Sequence, residues 1–314
     1  MTIIKKEKDK NGVMIYIVKK DLTEKQEIEM NGKICNSFND IIDHDADVFT
    51  DDGALLLRFR KGILPQNNID DFYENVIEFA KKNPSRCRGA ESGSTIKNMN
   101  NNKPIKSNIY GYFDTWTIYQ KHIFKTLQIK LPPVRLTRFT KDYPNKWQKM
   151  TPLIENIDTL YKNLVPTHYD AQKKCANETS FRIADTAFTT ITTNLNVQMA
   201  CHKDSNNLKE SFGNLVVIEK GKYEGGYTGF PSYQIAVDVR TGDFLAMNVF
   251  ELHCNTPIIL NTPDAVRLSV VCYLRHGVWE KSKGSTPTDV KQIEILTNEI
   301  LDKYRKIKNN IHKI

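Results

Sequence analysis

The sequence predicts an α+β fold in which an N-terminal α/β support surrounds a C-terminal β core of jelly-roll type. Near residue 187 the chain changes from mixed, helix-patterned sequence to β-branched and alternating sequence. Short strand candidates then recur over 189–199, 214–219, 234–239, 244–249 and 267–274, parted by turn signals at Gly225-Gly226, Thr241-Gly242-Asp243 and Thr262-Pro263-Asp264. Helical periodicity is confined to the segments before and after this run.

Taken in order, 13–18 and 55–59 are strand candidates in an N-terminal region of strands and turns. Over 69–82, Ile69, Phe72, Val76, Phe79 and Ala80 share one face of a helix, and Pro84 follows its end. Residues 83–110, rich in Gly, Ser and Asn, read mostly as loop. A second helix is predicted over 114–127. A third covers 152–164, with Ile154, Ile157, Leu160, Tyr161 and Leu164 buried and Pro166 as its stop. The tail over 288–307 is helical, with Val290, Ile293, Leu296 and Ile300 as its stripe. The expected organisation is a support region over 1–186, a catalytic β core over 187–280 and a C-terminal helix over 281–314.

A length of 314 residues with 39% hydrophobic residues is enough for a sizeable core. The net charge of +8 favours an anionic partner, such as nucleic acid, an acidic protein or a membrane surface. Surface lysines that only solubilise are the plain alternative. The six cysteines show no CxxC pair and no zinc spacing, which fits a reducing compartment. The Lys-rich start leads into no apolar stretch, and no run approaches the roughly 20 apolar residues of a membrane helix. A soluble protein of the nucleus or cytoplasm is expected, and no membrane partner. Oligomeric state is left open.

The chemistry concentrates in the β region. In Cys201-His202-Lys203-Asp204, residues i and i+2 of an extended segment point to one side, so His202 and Asp204 can share one ion. About fifty residues later comes Glu251-Leu252-His253-Cys254. Two His and one carboxylate form the facial triad of non-haem Fe(II) oxygenases, with open positions for a co-substrate and O2. An HxD pair alone is weak, since most are surface residues. Beyond His253 stands Arg267-Leu268-Ser269, again with i and i+2 on one face. A planar guanidinium bonds a carboxylate bidentately and the hydroxyl adds a donor, which suits the distal carboxylate of 2-oxoglutarate. Asn194, on the preceding strand, can reach the same co-substrate or bond the backbone. HxD, His and RxS in this order resemble the double-stranded β-helix (jelly-roll or cupin-like) 2-oxoglutarate oxygenases. The resemblance implies Fe(II), 2-oxoglutarate and O2 as cofactors.

Within that superfamily, 188–196 followed by His202-Lys203-Asp204-Ser205-Asn206-Asn207 resembles the TET/JBP family, as does Arg267-Leu268-Ser269-Val270-Val271-Cys272-Tyr273. Gly225-Gly226-Tyr227-Thr228-Gly229-Phe230-Pro231 is similar to the family's turn between core strands. Segments 88–93 and 107–114 resemble loops of its smaller fungal, phage and viral members, so a viral or phage protein in a host cell is one reading. The resemblance implies oxidation of the 5-methyl group of 5-methylcytosine or thymine in nucleic acid, with DNA the favoured partner. It implies that Asn207 touches the flipped base and that Tyr273 stacks on it. His276 follows Tyr273 one residue later than in the family pattern, with Arg275 between them. No cysteine-rich or separate DNA-binding module is read here, so a grip on duplex is expected from this domain.

Each residue also has a plainer role: Tyr273 as packing, Asn207 as a turn cap, His276 as an exposed side chain. Arg86, Arg88, Lys97, Lys103 and Lys106, with Tyr110, Tyr112 and Trp116, are candidates for phosphate and base contact or for ordinary surface. Two other functions stay open: a prolyl or lysyl side-chain hydroxylase of the same superfamily, and a nucleic-acid-binding module with a decayed oxygenase site.

Overall fold

A computed structural model describes residues 2–82 and 106–311, without the side chains of Tyr119 and of 301–311. Among these residues the strands form a ten-stranded sheet, a four-stranded sheet and a two-stranded ribbon of Tyr223–Gly225 with Ile258–Leu260, and the two larger sheets are the walls of a double-stranded β-helix. The order in the large sheet starts at Ile3–Lys8, Met14–Val18, Ala46–Thr50 and Leu55–Arg60. It continues through Phe244–Met247, Gly213–Lys220, Val266–Tyr273 and Thr190–Leu195, then ends on Ser107–Phe113 and Arg135–Leu136. The small sheet runs Cys254–Asn255, Thr228–Phe230, Ile235–Val237, Asp40–Ile42. Strands from 3–60 and 107–113 thus enter the same sheets as strands from 190–273.

Period-two alternation sorts the strand residues between two cores. Along Gly213–Lys220, Val216 and Ile218 face the helical layer, while Leu215 and Val217 face the small sheet. The helical side is closed by Gln66–Lys82, which buries Ile69, Phe72, Val76 and Phe79 as its periodicity predicts, and by Pro144–Leu164. Between the sheets, Phe230, Ile235 and Val237 meet Leu245 and Met247.

Several elements depart from expectation. The helix expected to start at Pro152 starts at Pro144. Pro152 costs one backbone bond, but Met150, Leu153, Ile154, Ile157 and Tyr161 give the helix a continuous buried stripe. Pro166 opens a further helix, Pro166–Asn177, where a first-turn proline loses no bond. The second helix is shorter than expected, Ile118–Thr126, and is started by the Thr117–Gln120 capping box. The end of the segment read mostly as loop, 83–110, enters a strand of the large sheet, Ser107–Phe113. Gly111 sits there at φ +82°, and a Cβ on it would lie 2.7 Å from the Thr189 carbonyl. Among the described residues no helix is long and apolar enough to cross a membrane.

Candidate metal centre and active site

The strand expected over 189–199 stops at Leu195, because Asn196 turns into the left-handed region at φ 51°. Its side chain is fixed across the sheet: Oδ1 accepts from Arg267 N at 2.7 Å and Nδ2 donates to Ala265 O at 3.0 Å. The HxD segment that follows is therefore not a regular strand. His202 and His253 form an isolated bridge, each N–H donating to the other's carbonyl at 2.9 Å, and Asp204 N donates to Val249 O at 2.9 Å. These few bonds bring the ligand atoms of His202, Asp204 and His253 within 4.8 Å of one another.

Both imidazoles are oriented by backbone. His202 Nδ1 lies 2.8 Å from Ala200 O and His253 Nδ1 lies 2.9 Å from Glu251 O. A proton on each Nδ1 leaves the Nε2 lone pair for a metal. Burial, then the neighbouring His202, pushes the His253 pKa down to about 3, so the ring is neutral as a ligand must be. Asn207 Nδ2 donates to Asp204 Oδ2 at 3.2 Å, so this amide orients the carboxylate. Two imidazole nitrogens and one carboxylate oxygen on one open face suit Fe(II).

The triad opens on a chamber of about 120 Å3 between the sheets. Opposite it, Arg267, Ser269, Val271 and Tyr273 point inward from Val266–Tyr273, while Leu268, Val270 and Cys272 point to the helices. Asn194 pairs directly with Ser269 in the ladder, and its Nδ2 donates to Ser269 Oγ at 3.4 Å. Arg267 is 3% exposed and forms no ion pair among the described residues; its Nε and the Asn194 Oδ1 have no hydrogen-bond partner. Burial pulls its pKa below the usual guanidinium value. A buried cation with no direct ion-pair partner is costly, and a small anion in the chamber would relieve it. Gly226 makes the room: a Cβ there would lie 2.6 Å from Arg267 Nε. The donors therefore fit both a divalent iron and a dicarboxylate.

The substrate candidates divide between two cavities. Tyr273 faces the inner chamber, its hydroxyl 3.2 Å from Thr192 Oγ1. His276 is exposed at the start of His276–Ser282 and lines an outer cavity of about 840 Å3 that meets the chamber at Asp204, Ser205 and Asn207. Aromatic pairs line this cavity: His276 with Trp279, ring centroids 5.4 Å apart, and His168 with Phe212 at 4.2 Å. Arg275 lines the chamber and is held by Asp114 at 2.5 Å and by Phe113, whose ring lies 4.1 Å from the guanidinium. Neither Arg275 nor Trp279 was singled out as a site residue from the sequence; a strand ending Tyr-Leu-Arg-His, with Trp one helical turn on, was the available signal.

Other candidates are corrected or fall outside. Tyr110 is fully buried against Phe79 and Phe139, Tyr112 packs on Phe181, and Trp116 Nε1 donates to Pro132 O. As packing residues they are not available to stack on bases. Arg86, Arg88, Lys97 and Lys103 lie outside the described residues, and Lys106 lends its carbonyl to Leu195 N.

Comparison with known proteins adds the following. Residues 127–276 match the Tet_JBP family, the oxygenase domain of the 2OGFeDO superfamily. The bifunctional helicase and thymine dioxygenase JBP2 of Leishmania braziliensis is 30% identical over 200 residues, covering 61% of this chain and 17% of that protein. Thymine dioxygenase JBP1-A of Trypanosoma cruzi is 30% identical over 176 residues, 55% of this chain and 20% of that protein. The chain thus spans about a fifth of the length of these relatives. The solved complex of NgTET1 with 5mC DNA superposes with a TM-score of 0.54 at 14% identity, over 88% of this chain and 89% of the other, and shares the fold.

Proposed function

We propose, because residues 127–276 belong to the TET/JBP family of 2-oxoglutarate–Fe(II) oxygenase domains, that this chain hydroxylates the 5-methyl group of a pyrimidine in nucleic acid. DNA is the favoured substrate, and the relatives that act as thymine dioxygenases favour thymine over 5-methylcytosine. The observation that carries this reading is the buried Arg267, which forms no ion pair among the described residues, facing the His202–Asp204–His253 triad across one small chamber.

In this reading His202, Asp204 and His253 hold Fe(II). When bound, the iron couples O2 and the decarboxylation of 2-oxoglutarate, giving succinate and CO2, to placing one oxygen atom on a methyl C–H bond. Arg267 and Ser269 bind the far carboxylate of 2-oxoglutarate, with Asn194 orienting the Ser269 hydroxyl. Asn207 holds the Asp204 carboxylate with its amide N–H, which leaves its carbonyl oxygen for a base edge. The chamber of about 120 Å3 takes the co-substrate and the reacting methyl end. The outer cavity, about 840 Å3, lies within the roughly 300–1,000 Å3 of ordinary ligand sites and takes the rest of the nucleotide. A methyl group stacked in a duplex cannot reach the triad, so the base enters extruded or from single-stranded nucleic acid. Tyr273 then bounds the base from the chamber side, while His276 and Trp279 line its approach.

Incubation with Fe(II), 2-oxoglutarate and DNA containing thymine and 5-methylcytosine, followed by mass spectrometry of nucleosides, tests the proposal. The expected product is the 5-hydroxymethyl nucleoside, with thymine the better substrate. Succinate release with prolyl or lysyl peptides and none with DNA would overturn it.

A further inference from the structure

The short helix Glu24–Met30 lies far outside the family-matched segment, and Glu27 is the one residue it buries. A surface helix gains nothing obvious from a carboxylate that is 5% exposed. Its surroundings give the reason. Glu27 Oε2 meets Lys203 Nζ at 2.5 Å, and Oε1 accepts from Ser232 Oγ at 2.6 Å and lies 3.4 Å from Lys20 Nζ. Lys20 Nζ reaches onward to Glu251 Oε2 at 2.8 Å.

The ends of this chain of charges matter. Lys203 stands between His202 and Asp204; it does not line the chamber, and its Nζ reaches Glu27 instead. Glu251 gives its carbonyl to His253 Nδ1. The backbone after the same helix adds a second tie: Gly32 N donates to Cys201 O at 2.7 Å and Cys201 N to Lys33 O at 2.8 Å. We infer that Glu27 is a positioning residue for the metal centre, tying the segment that carries His202 and Asp204 to the segment that carries His253 through Lys203, Lys20 and Glu251. The inference rests on the reading of the triad as an iron site. It is needed here because the ligand segments are joined by only a few backbone bonds, so their spacing is not set by a sheet. Two carboxylates and two ammonium groups make the chain neutral, and removing one charge unbalances the rest.

The test titrates the metal-free full chain anaerobically with Fe(II) and records each variant's melting temperature without metal. Glu27→Gln and Lys203→Met should each weaken Fe(II) binding by about ten- to a hundredfold, the usual effect of losing a partner behind the ligands. Lys20→Met, at the more exposed end, should weaken it less. The double variant Glu27→Gln/Lys203→Met should bind no worse than the weaker single variant, because both cut one link. Turnover at saturating Fe(II) should return close to the parent value, which a general loss of structure would not allow. Binding within about twofold of the parent in both single variants, or losses that multiply in the double variant, overturns the inference. If Glu27→Gln fails to fold, Lys203→Met and Lys20→Met decide by the same measure. His202→Ala is the control: if it binds Fe(II) as the parent does, the iron site itself is misassigned and the inference falls with it.

Discussion

Ser269 sits in mid-strand with ladder partners on both sides, and Arg267, two residues before it on the same strand, pairs with Glu219, whereas His202, Asp204 and His253 sit where regular pairing has stopped. The co-substrate end of the chamber is thus held by a sheet whose register fixes every inward side chain. The metal end is held by single backbone bonds and by side chains reaching in from residues 20–33. A sheet spreads the effect of one substitution over many bonds, so changes at the Arg267 end should act on the ligand and little else. At the metal end, positions remote in sequence should matter.

The comparison would break most visibly at the triad. His202→Ala or Asp204→Ala should drop turnover and Fe(II) binding to background while the melting temperature of the metal-free protein stays near the parent's. Dialysis of the parent against a chelator should do the same, reversibly on adding Fe(II). Activity that survives either substitution removes the triad assignment. Next in size is Arg267→Lys, which keeps the charge and loses the planar fork. A charge-assisted bond is worth about 1.5–3 kcal/mol, so the 2-oxoglutarate requirement should rise roughly ten- to a hundredfold, and Arg267→Ala should be worse. Fe(II) binding without 2-oxoglutarate should not move. If both affinities fall together, the two ends are one unit and the contrast fails.

How much of this was legible depends on the same contrast. Alternation in Val-Arg-Leu-Ser-Val-Val-Cys-Tyr assigned Arg267, Ser269 and Tyr273 to one face, and the sheet obeys it. The residues of the HxD pair were legible, but their geometry was not. Asn196 breaks the strand before they are reached, and the bonds that align them join residues about fifty apart. Glu27 gives no local sign, because its helix is short and its partners lie as far as 205 residues away. The strand that starts at Ser107 was hidden differently: the Gly, Ser and Asn content of 83–110 suggests loop up to Tyr110, whereas the strand runs on through Gly111, which admits a neighbouring carbonyl.

The mouth of the chamber offers a pH test. Burial pushes the Asp114 pKa up, but Arg275 and Lys281 outweigh it and the net shift is downward. A carboxylate with a depressed folded pKa adds stability above its unfolded value, near 3.9, and loses it as pH falls through the folded value. The parent should therefore lose stability below about pH 4 more steeply than Asp114→Asn, with the variant about 1–3 kcal/mol less stable at pH 7. Equal acid slopes in urea melts of the two proteins would remove Asp114 as the anchor of Arg275. A finer probe is Gly226→Ala. Its Cβ meets Arg267 at 2.6 Å and its φ is +71°, so it should cost about 1–3 kcal/mol and raise the 2-oxoglutarate KM. Fe(II) affinity should be untouched, and a change there would again join the two ends.

The smallest effect expected is at Tyr273, and it sharpens the comparison most. Its ring lies on the sheet-held wall but faces the space where the substrate base must come, so it can be structural or functional. At 7% exposure it counts as core by burial alone. Tyr273→Phe removes the hydroxyl beside Thr192 Oγ1 and keeps the ring, so the loss should be about 0.5–1.5 kcal/mol in stability and near nothing in base oxidation. Tyr273→Ala removes the ring. If the ring stacks on the base, methyl oxidation should fall roughly tenfold to a hundredfold, from the ~1–3 kcal/mol of one base–aromatic stack. Succinate release without nucleic acid should then change far less. If the ring is only packing, melting temperature, substrate-free succinate release and base oxidation fall together in the Ala variant. Measuring all three in the Phe and Ala variants separates the cases, because the sheet keeps Arg267 and Ser269 in register whichever ring is lost.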